Sequence, residues 1–162
     1  MSEAHPAGLS MLDKRRIEAE MLGHVFAVLR ESHGEAAARA TVAEAVRRSS
    51  TEQASRFAAA APGGPSLDGF EAIQSHWMQG GALEVTVQER TPASFAFDVT
   101  RCRYAEMYKA MGLGEIGPLL SCQRDGTFCE GYDTRLKLRR TQTIMQGASH
   151  CDFRYTWEDD AA

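Results

Sequence analysis

Five side chains between residues 98 and 152 could carry covalent or acid–base chemistry: Asp98, Cys102, Cys122, Asp125 and Cys151. A thiol attacks as its thiolate, and a carboxylate beside it can hold a cation, a water or a proton. In DVTRCRY, Asp98 closes a strand and Cys102 stands near the start of a helix. The free N–H groups and positive dipole end of a helix N-terminus favour a thiolate, and Arg101 and Arg103 flank Cys102 with more positive charge. Cys102 is therefore the best nucleophile on electrostatics. Cys122 follows a helical piece, where the dipole has the opposite sign, so it needs a separate activating group. Asp125, three residues on, could orient a substrate amine or hold a water.

Cys151 lies in GASHCDFRY, residues 147–155, directly after His150. Cys151, Phe153, Tyr155 and Trp157 alternate with His150, Asp152, Arg154 and Thr156, the period of a half-buried strand. In a strand His150 and Cys151 point to opposite faces. The imidazole is then a base for the cluster only if that strand presents its other face to the pocket.

The elements that must position these groups change character near residue 80. Residues 10–30 carry Leu12, Ile17, Met21, Leu22, Val25, Phe26 and Leu29 near helical spacing, with Ser10 as N-cap and Gly34 as the stop. A second, alanine-rich helix runs from about 35 to 60 and ends at PGGP; its face is narrow enough to suggest packing on another subunit. Phe70, Ile73 and Trp77 mark a third helix, from about 66 to 78. LEVTVQER and SFAFDVTR then alternate about Thr91-Pro92, which reads as two antiparallel strands. Two short helical pieces follow, at about 104–111 and in EIGPLLS, the second kept short or irregular by Pro118. Strands return at RLKLRRTQTIM and HCDFRYTW. The expectation is a single α+β domain over 1–162: a helical part at 1–80 packed on a mainly antiparallel sheet of four or more strands at 81–160.

With 162 residues, 43% of them hydrophobic, one core suffices and no disulfide staple is needed. The N-terminus lacks the apolar segment of a secretory signal, which leads us to expect a reduced, cytoplasmic setting for the cysteines at 102, 122, 129 and 151. No apolar run is long enough to span a bilayer, a net charge of −4 gives no reason to bind nucleic acid, and the arginines at 47, 48, 135, 139 and 140 read as solvated faces. Plainer readings stand beside the chemical ones. Each cysteine near Leu119, Leu120 or Phe153 also reads as a small buried hydrophobe, Asp98 as a cap, and Asp125-Gly126 as a turn. Three thiols with a histidine or carboxylate could hold a tetrahedral zinc that activates a water, but the zinc reading is unsupported, because no CxxC pair occurs, and His5, His24, His33 and His76 show no ligand spacing.

Taken in order, DVTRCRYAEMYKAMGLGEIGPLLSCQRD and RTQTIMQGASHCDFRY resemble the L-2-amino-thiazoline-4-carboxylate hydrolase family over about residues 77–157. The shared pattern is an acidic strand end, a cysteine with an aromatic two residues on, a cysteine before an aspartate, and a closing T…G…CDF segment. The resemblance implies hydrolysis of a C–N or C–S bond in a small cyclic amidine or amide, without an organic cofactor. It makes Cys102, Cys122, Asp98 and Asp125 the candidate catalytic residues. Cys151, Tyr104, His150, Thr143 and Arg101 are then the candidate contacts to a small-molecule substrate, with an arginine holding a carboxylate. A binding or sensory module lined by Phe95, Phe97, Tyr104, Phe153 and Tyr155 is the non-catalytic alternative. A homodimer is expected, since closed two-fold pairs are the commonest way to cover surplus apolar surface.

Overall fold

The computed structural model describes residues 8–159; His5 lies outside them. Helix α1 (Met11–His33) starts where the Ser10 hydroxyl accepts the Asp13 N–H, and stops at Gly34, whose φ of 89° suits glycine. Its buried residues are Met11, Arg15, Ala19 and Phe26. Helix α2 (Glu35–Ala60) buries Ala38, Val42, Val46, Ser50 and Ala54, one residue every four, a stripe of small side chains. The stripe is narrow because helices of the same chain cover it. It packs on α1 and on α6 (Gln123–Tyr132), close enough for Ser55 Oγ to donate to the Gly131 carbonyl at 3.1 Å.

Residues 66–78 form two pieces, α3 (Leu67–Ile73), capped by Ser66, and α4 (Ser75–Met78). The helix tightens at their junction, where the Gln74 N–H bonds the Glu71 carbonyl three residues back. Strands β1 (Leu83–Thr91) and β2 (Ser94–Cys102) form the expected hairpin, and α5 (Arg103–Ala110) follows directly. With β3 (Leu136–Arg139) and β4 (Cys151–Trp157), the described residues form a four-stranded antiparallel sheet in the order β1-β2-β4-β3. Phe97 pairs with Phe153 and Val99 with Cys151, so the alternation in β2 and β4 buries one row of apolar residues against the helices. The architecture is α+β, with the N-terminal helices on the sheet.

Two segments differ from the sequence reading. Asp125-Gly126 is not a turn but lies in the first turn of α6, a helix that the periodicity did not announce. Gly126 and Gly131 weaken its propensity; tertiary burial of Arg124, Phe128, Cys129 and Tyr132 holds it instead. The third strand ends at Arg139 rather than continuing to Met145. Beyond it the Asp152 carboxylate accepts the N–H groups of Thr141 and Gln142, each at 2.9 Å, and draws the chain into a 3₁₀ turn at Ile144–Gln146.

Among the described residues the interior has two apolar clusters. One joins α1, α2 and α5 through Phe26, Val42, Val46 and Tyr108; the other joins α3, α6 and the sheet through Phe70, Val99, Phe128 and Tyr155. Trp77, Leu83, Cys102 and Ile144 border both. No helix among the described residues is long and apolar enough to cross a membrane.

Candidate functional site

Where the two clusters meet, the helices and the inner face of the sheet enclose a cavity of about 80 Å³. That is room for a small molecule rather than for a polymer. The end of β2 brings in Cys102, which is also the N-cap of α5: its Sγ accepts the Ala105 N–H at 3.4 Å. Cys122 ends a π-helical turn, Pro118–Cys122, that runs straight into α6. The expected helical piece is thus irregular at its proline, and Cys122 stands before a helix start rather than after a helix end. Gly117 opens this turn because a Cβ there would come within 2.5 Å of Met145 Sδ. Asp125 follows in α6, and β4 supplies Cys151, whose Sγ accepts the Ile144 N–H at 3.2 Å.

Asp125 keeps a third of its side-chain surface accessible, and that surface lies on the cavity wall. The carboxylate is therefore enclosed by protein yet reachable by a ligand. Arg140 donates to it at 2.6 Å, donates to the Cys122 carbonyl at 3.0 Å, and lies over the Phe153 ring. Burial pushes the Asp125 carboxyl up, against the opposing pull of Arg140.

The thiols are held neutral. Burial raises Cys102 to about 11, against the Ala105 N–H that favours the thiolate. Burial and then the Asp125 charge raise Cys122 to about 12, and burial raises Cys151 as well. This reverses the electrostatic expectation for Cys102. The helix N-terminus is where the sequence put it, but Arg101 turns outward to Glu106 and Arg103 to the Gly80 carbonyl. Alkylation of Cys102 by iodoacetamide is accordingly expected to be slow near neutral pH and to rise about tenfold per pH unit toward pH 10. Fast, pH-independent labelling mapped by mass spectrometry would contradict it. The same shift has a sign for stability: burial of the neutral thiol favours the fold, a gain that is lost as pH climbs from 9.0 through about 11.

Among the residues singled out in the sequence, the fold brings Cys102, Cys122, Asp125, Cys151, Tyr104 and Thr143 to the cavity wall. It does not bring Asp98, Arg101 or His150 there. Asp98 pairs with Arg154 at 2.9 Å and accepts from Gln88, bracing neighbouring strands; Arg101 is exposed; His150 bonds Ser149 and Gln142. The sequence reading missed Arg15, Arg124 and Ser50, and Arg140, expected on a solvated face, lies in the cavity wall instead. Arg15, Ser50 and Arg124 share a signal: each is a polar residue at a core position of an otherwise buried helix stripe. Among the described residues no three histidine, cysteine or acidic side chains converge so as to hold a metal ion.

Helices laid on a four-stranded antiparallel sheet in this arrangement occur in solved structures of low sequence identity. A trafficking protein particle complex subunit 3 from Naegleria fowleri, covalently bound to palmitic acid, is 7% identical, with a TM-score of 0.52, over 90% of this chain and 96% of that one. The phenol-responsive sensory domain of the transcription activator PoxR, with phenol, is 15% identical, with a TM-score of 0.50, over 88% and 74%. These likenesses concern the fold. No curated protein matches the sequence. The L-2-amino-thiazoline-4-carboxylic acid hydrolase family matches residues 14–155, most of the chain, and the protein belongs to that family.

Proposed function

We propose that the protein is a hydrolase that opens a small cyclic amidine or amide of the 2-amino-thiazoline-carboxylate kind at a C–N or C–S bond, with a cysteine as nucleophile and no organic cofactor. The observation that carries this reading is the convergence of Cys102, Cys122, Cys151 and the enclosed Asp125 on a cavity of small-molecule size, in a chain of this family.

Cys102 is the attacking group, because its Sγ already faces a backbone donor at a helix start. Burial keeps the thiol neutral until a cation arrives. An amidinium bound against Asp125 supplies that positive charge, and the thiol proton passes to the carboxylate, whose raised pKa makes it a ready acceptor. Sulfur adds to the amidine carbon. A ring C–N or C–S bond to that carbon breaks, and the departing atom takes the proton back from Asp125. Water then adds to the same carbon, giving one proton to the departing Cys102 sulfur and the other to Asp125, which passes it to solvent, so the product carries the water oxygen as a carbonyl. Asp125 takes the general-base place considered for His150.

The test is turnover of 2-amino-thiazoline-4-carboxylate, other cyclic amidines, imides and lactams in oxygen-18-labelled water. Product with one labelled oxygen supports the reading. Tight binding without turnover of any of them overturns it in favour of a binding module, a reading supported by the aromatic cavity wall of Trp77, Phe97, Phe128 and Phe153.

The expected homodimer belongs to the same proposal, on a different surface from the one first suggested. The α2 stripe is covered within the chain, whereas Ile17, Met21, Val25 and Val28 leave an exposed apolar row on α1. Light scattering at micromolar concentration is expected to give twice the chain mass, and Met21→Lys to shift it toward the monomer. A monomer in the unsubstituted protein would remove the proposal. A cytoplasmic setting, with all four cysteines free, completes it.

A further inference from the structure

We infer that Arg15 of α1 and Arg124 of α6 form a carboxylate-binding subsite at the helical side of the cavity, so that the protein selects small ring compounds bearing a carboxylate. The inference deepens the proposed hydrolase reading by naming the anionic end of its substrate, and it rests on that reading only for the chemistry at the other end.

Both arginines line the cavity and are almost fully buried, 4% and 7% exposed. A buried arginine needs an anion and partners for its N–H groups. Here two guanidinium groups share one carboxylate: Arg15 Nη1 donates to both oxygens of Glu18 at 3.0 Å, and Arg124 Nη2 donates to Glu18 Oε2 at 3.0 Å. The third cavity arginine, Arg140, has Asp125 to itself. Among the described residues three cations thus face two anions here, leaving one positive charge in excess.

The donors are not exhausted either. Arg124 Nε bonds the Leu120 carbonyl, but Nη1, although buried, has no hydrogen-bond partner among the described residues. Leaving such a donor unmade is costly, and a planar carboxylate matches the guanidinium fork. Burial, and after it the charge of Arg15, lowers Arg124 to about 10, the response of a cation short of negative charge. Gln53 braces the arrangement by accepting from Arg15 Nη2 at 3.2 Å, and Ser50 Oγ holds the Arg124 carbonyl at 3.0 Å. With Asp125 in the same wall, the cavity offers an anion to the amidinium and a surplus cation to the carboxylate of one zwitterionic ring. Arg101, expected among the substrate contacts, lies on the surface with Glu106 and Glu84.

Calorimetric titration with cyclopentanecarboxylate and cyclopentanecarboxamide tests this with probes that contain no ring bond to hydrolyse. The acid is expected to bind about tenfold to a hundredfold tighter than the amide, the preference a charge-assisted hydrogen-bonded pair supplies. Arg124→Gln and Arg15→Gln should each remove most of that preference, while Arg124→Lys, which keeps charge without the fork, retains part of it. Equal binding of acid and amide, no binding of either, or a preference that persists in folded glutamine variants would overturn the inference. The comparison in the unsubstituted protein stands even if a variant fails to fold. Failure of the hydrolase reading shows in the turnover screen and leaves this comparison intact.

Discussion

Cys102→Ser is expected to cut turnover of 2-amino-thiazoline-4-carboxylate on the order of 10⁴-fold with little change in thermal stability. The loss follows from the nucleophile, since a serine hydroxyl holds its proton far more tightly than a thiol. The retained stability follows from the cap. Cys102 ends β2 and accepts the Ala105 N–H at the start of α5, and serine is a better N-cap than cysteine in that role. Cys151→Ser is expected to do the reverse. Its sulfur sits in the core strand β4 and accepts the Ile144 N–H, so its replacement should weaken folding or binding more than the chemical step. Steady-state kinetics with melting curves on both variants separates the two roles. Full activity in Cys102→Ser would pass the attack to Cys122.

Gly131→Ala is expected to destabilise the fold by about 3 kcal/mol, a fall in Tm of roughly 6 to 12 °C. A Cβ at Gly131 would come to 2.7 Å from the Thr51 Cα, and what it meets is the backbone of α2 rather than a movable side chain. To make room, α6 must back away from α2, carrying Arg124 and Asp125 off the cavity wall, so activity should fall with stability. The other glycine of the same helix gives the control. A Cβ at Gly126 meets nothing within 4 Å, and Gly126→Ala should stabilise by about 0.5 to 1 kcal/mol through helix propensity. Thermal unfolding that ranked the two alike would show that the helix contact does not govern stability here.

The same pair of glycines shows where the sequence stopped being legible. Period-two alternation in LEVTVQER, SFAFDVTR and HCDFRYTW pointed to the strands, the antiparallel hairpin of the first two and the inward side of Cys151, because a half-buried strand repeats one simple rule. Helix α6 stayed hidden because two glycines mask its propensity, and its partner surface lies some eighty residues earlier in the chain. For the site, the ordered cysteines and Asp125 pointed to the cavity, and the family resemblance, read over 77–157, extends through most of the helical half. Of the arginines, the one expected at the substrate, Arg101, does not reach the cavity wall. Arg101 is next to Cys102 in sequence but turns to Glu106, whereas Arg15 reaches the cavity from the first helix. The missing clue was a charge at a core position, Arg15 between Met11 and Ala19, which hydrophobic counting passes over. Only tertiary pairing could distinguish Asp98, a strand-bracing ion pair, from Asp125, a cavity carboxylate.

The border residues Trp77, Leu83 and Cys102 stand in the cavity wall as well as between the two apolar clusters. A molecule seated there presses on both clusters at once and works as a keystone between them. Its binding energy then becomes cohesion of the whole chain, about 2.7 kcal/mol when its concentration is a hundred times its Kd. Under the proposed function, recognition and mechanical integrity share one joint, so a substitution that loosens the joint weakens both, and selection acting on the ligand acts on the fold as well.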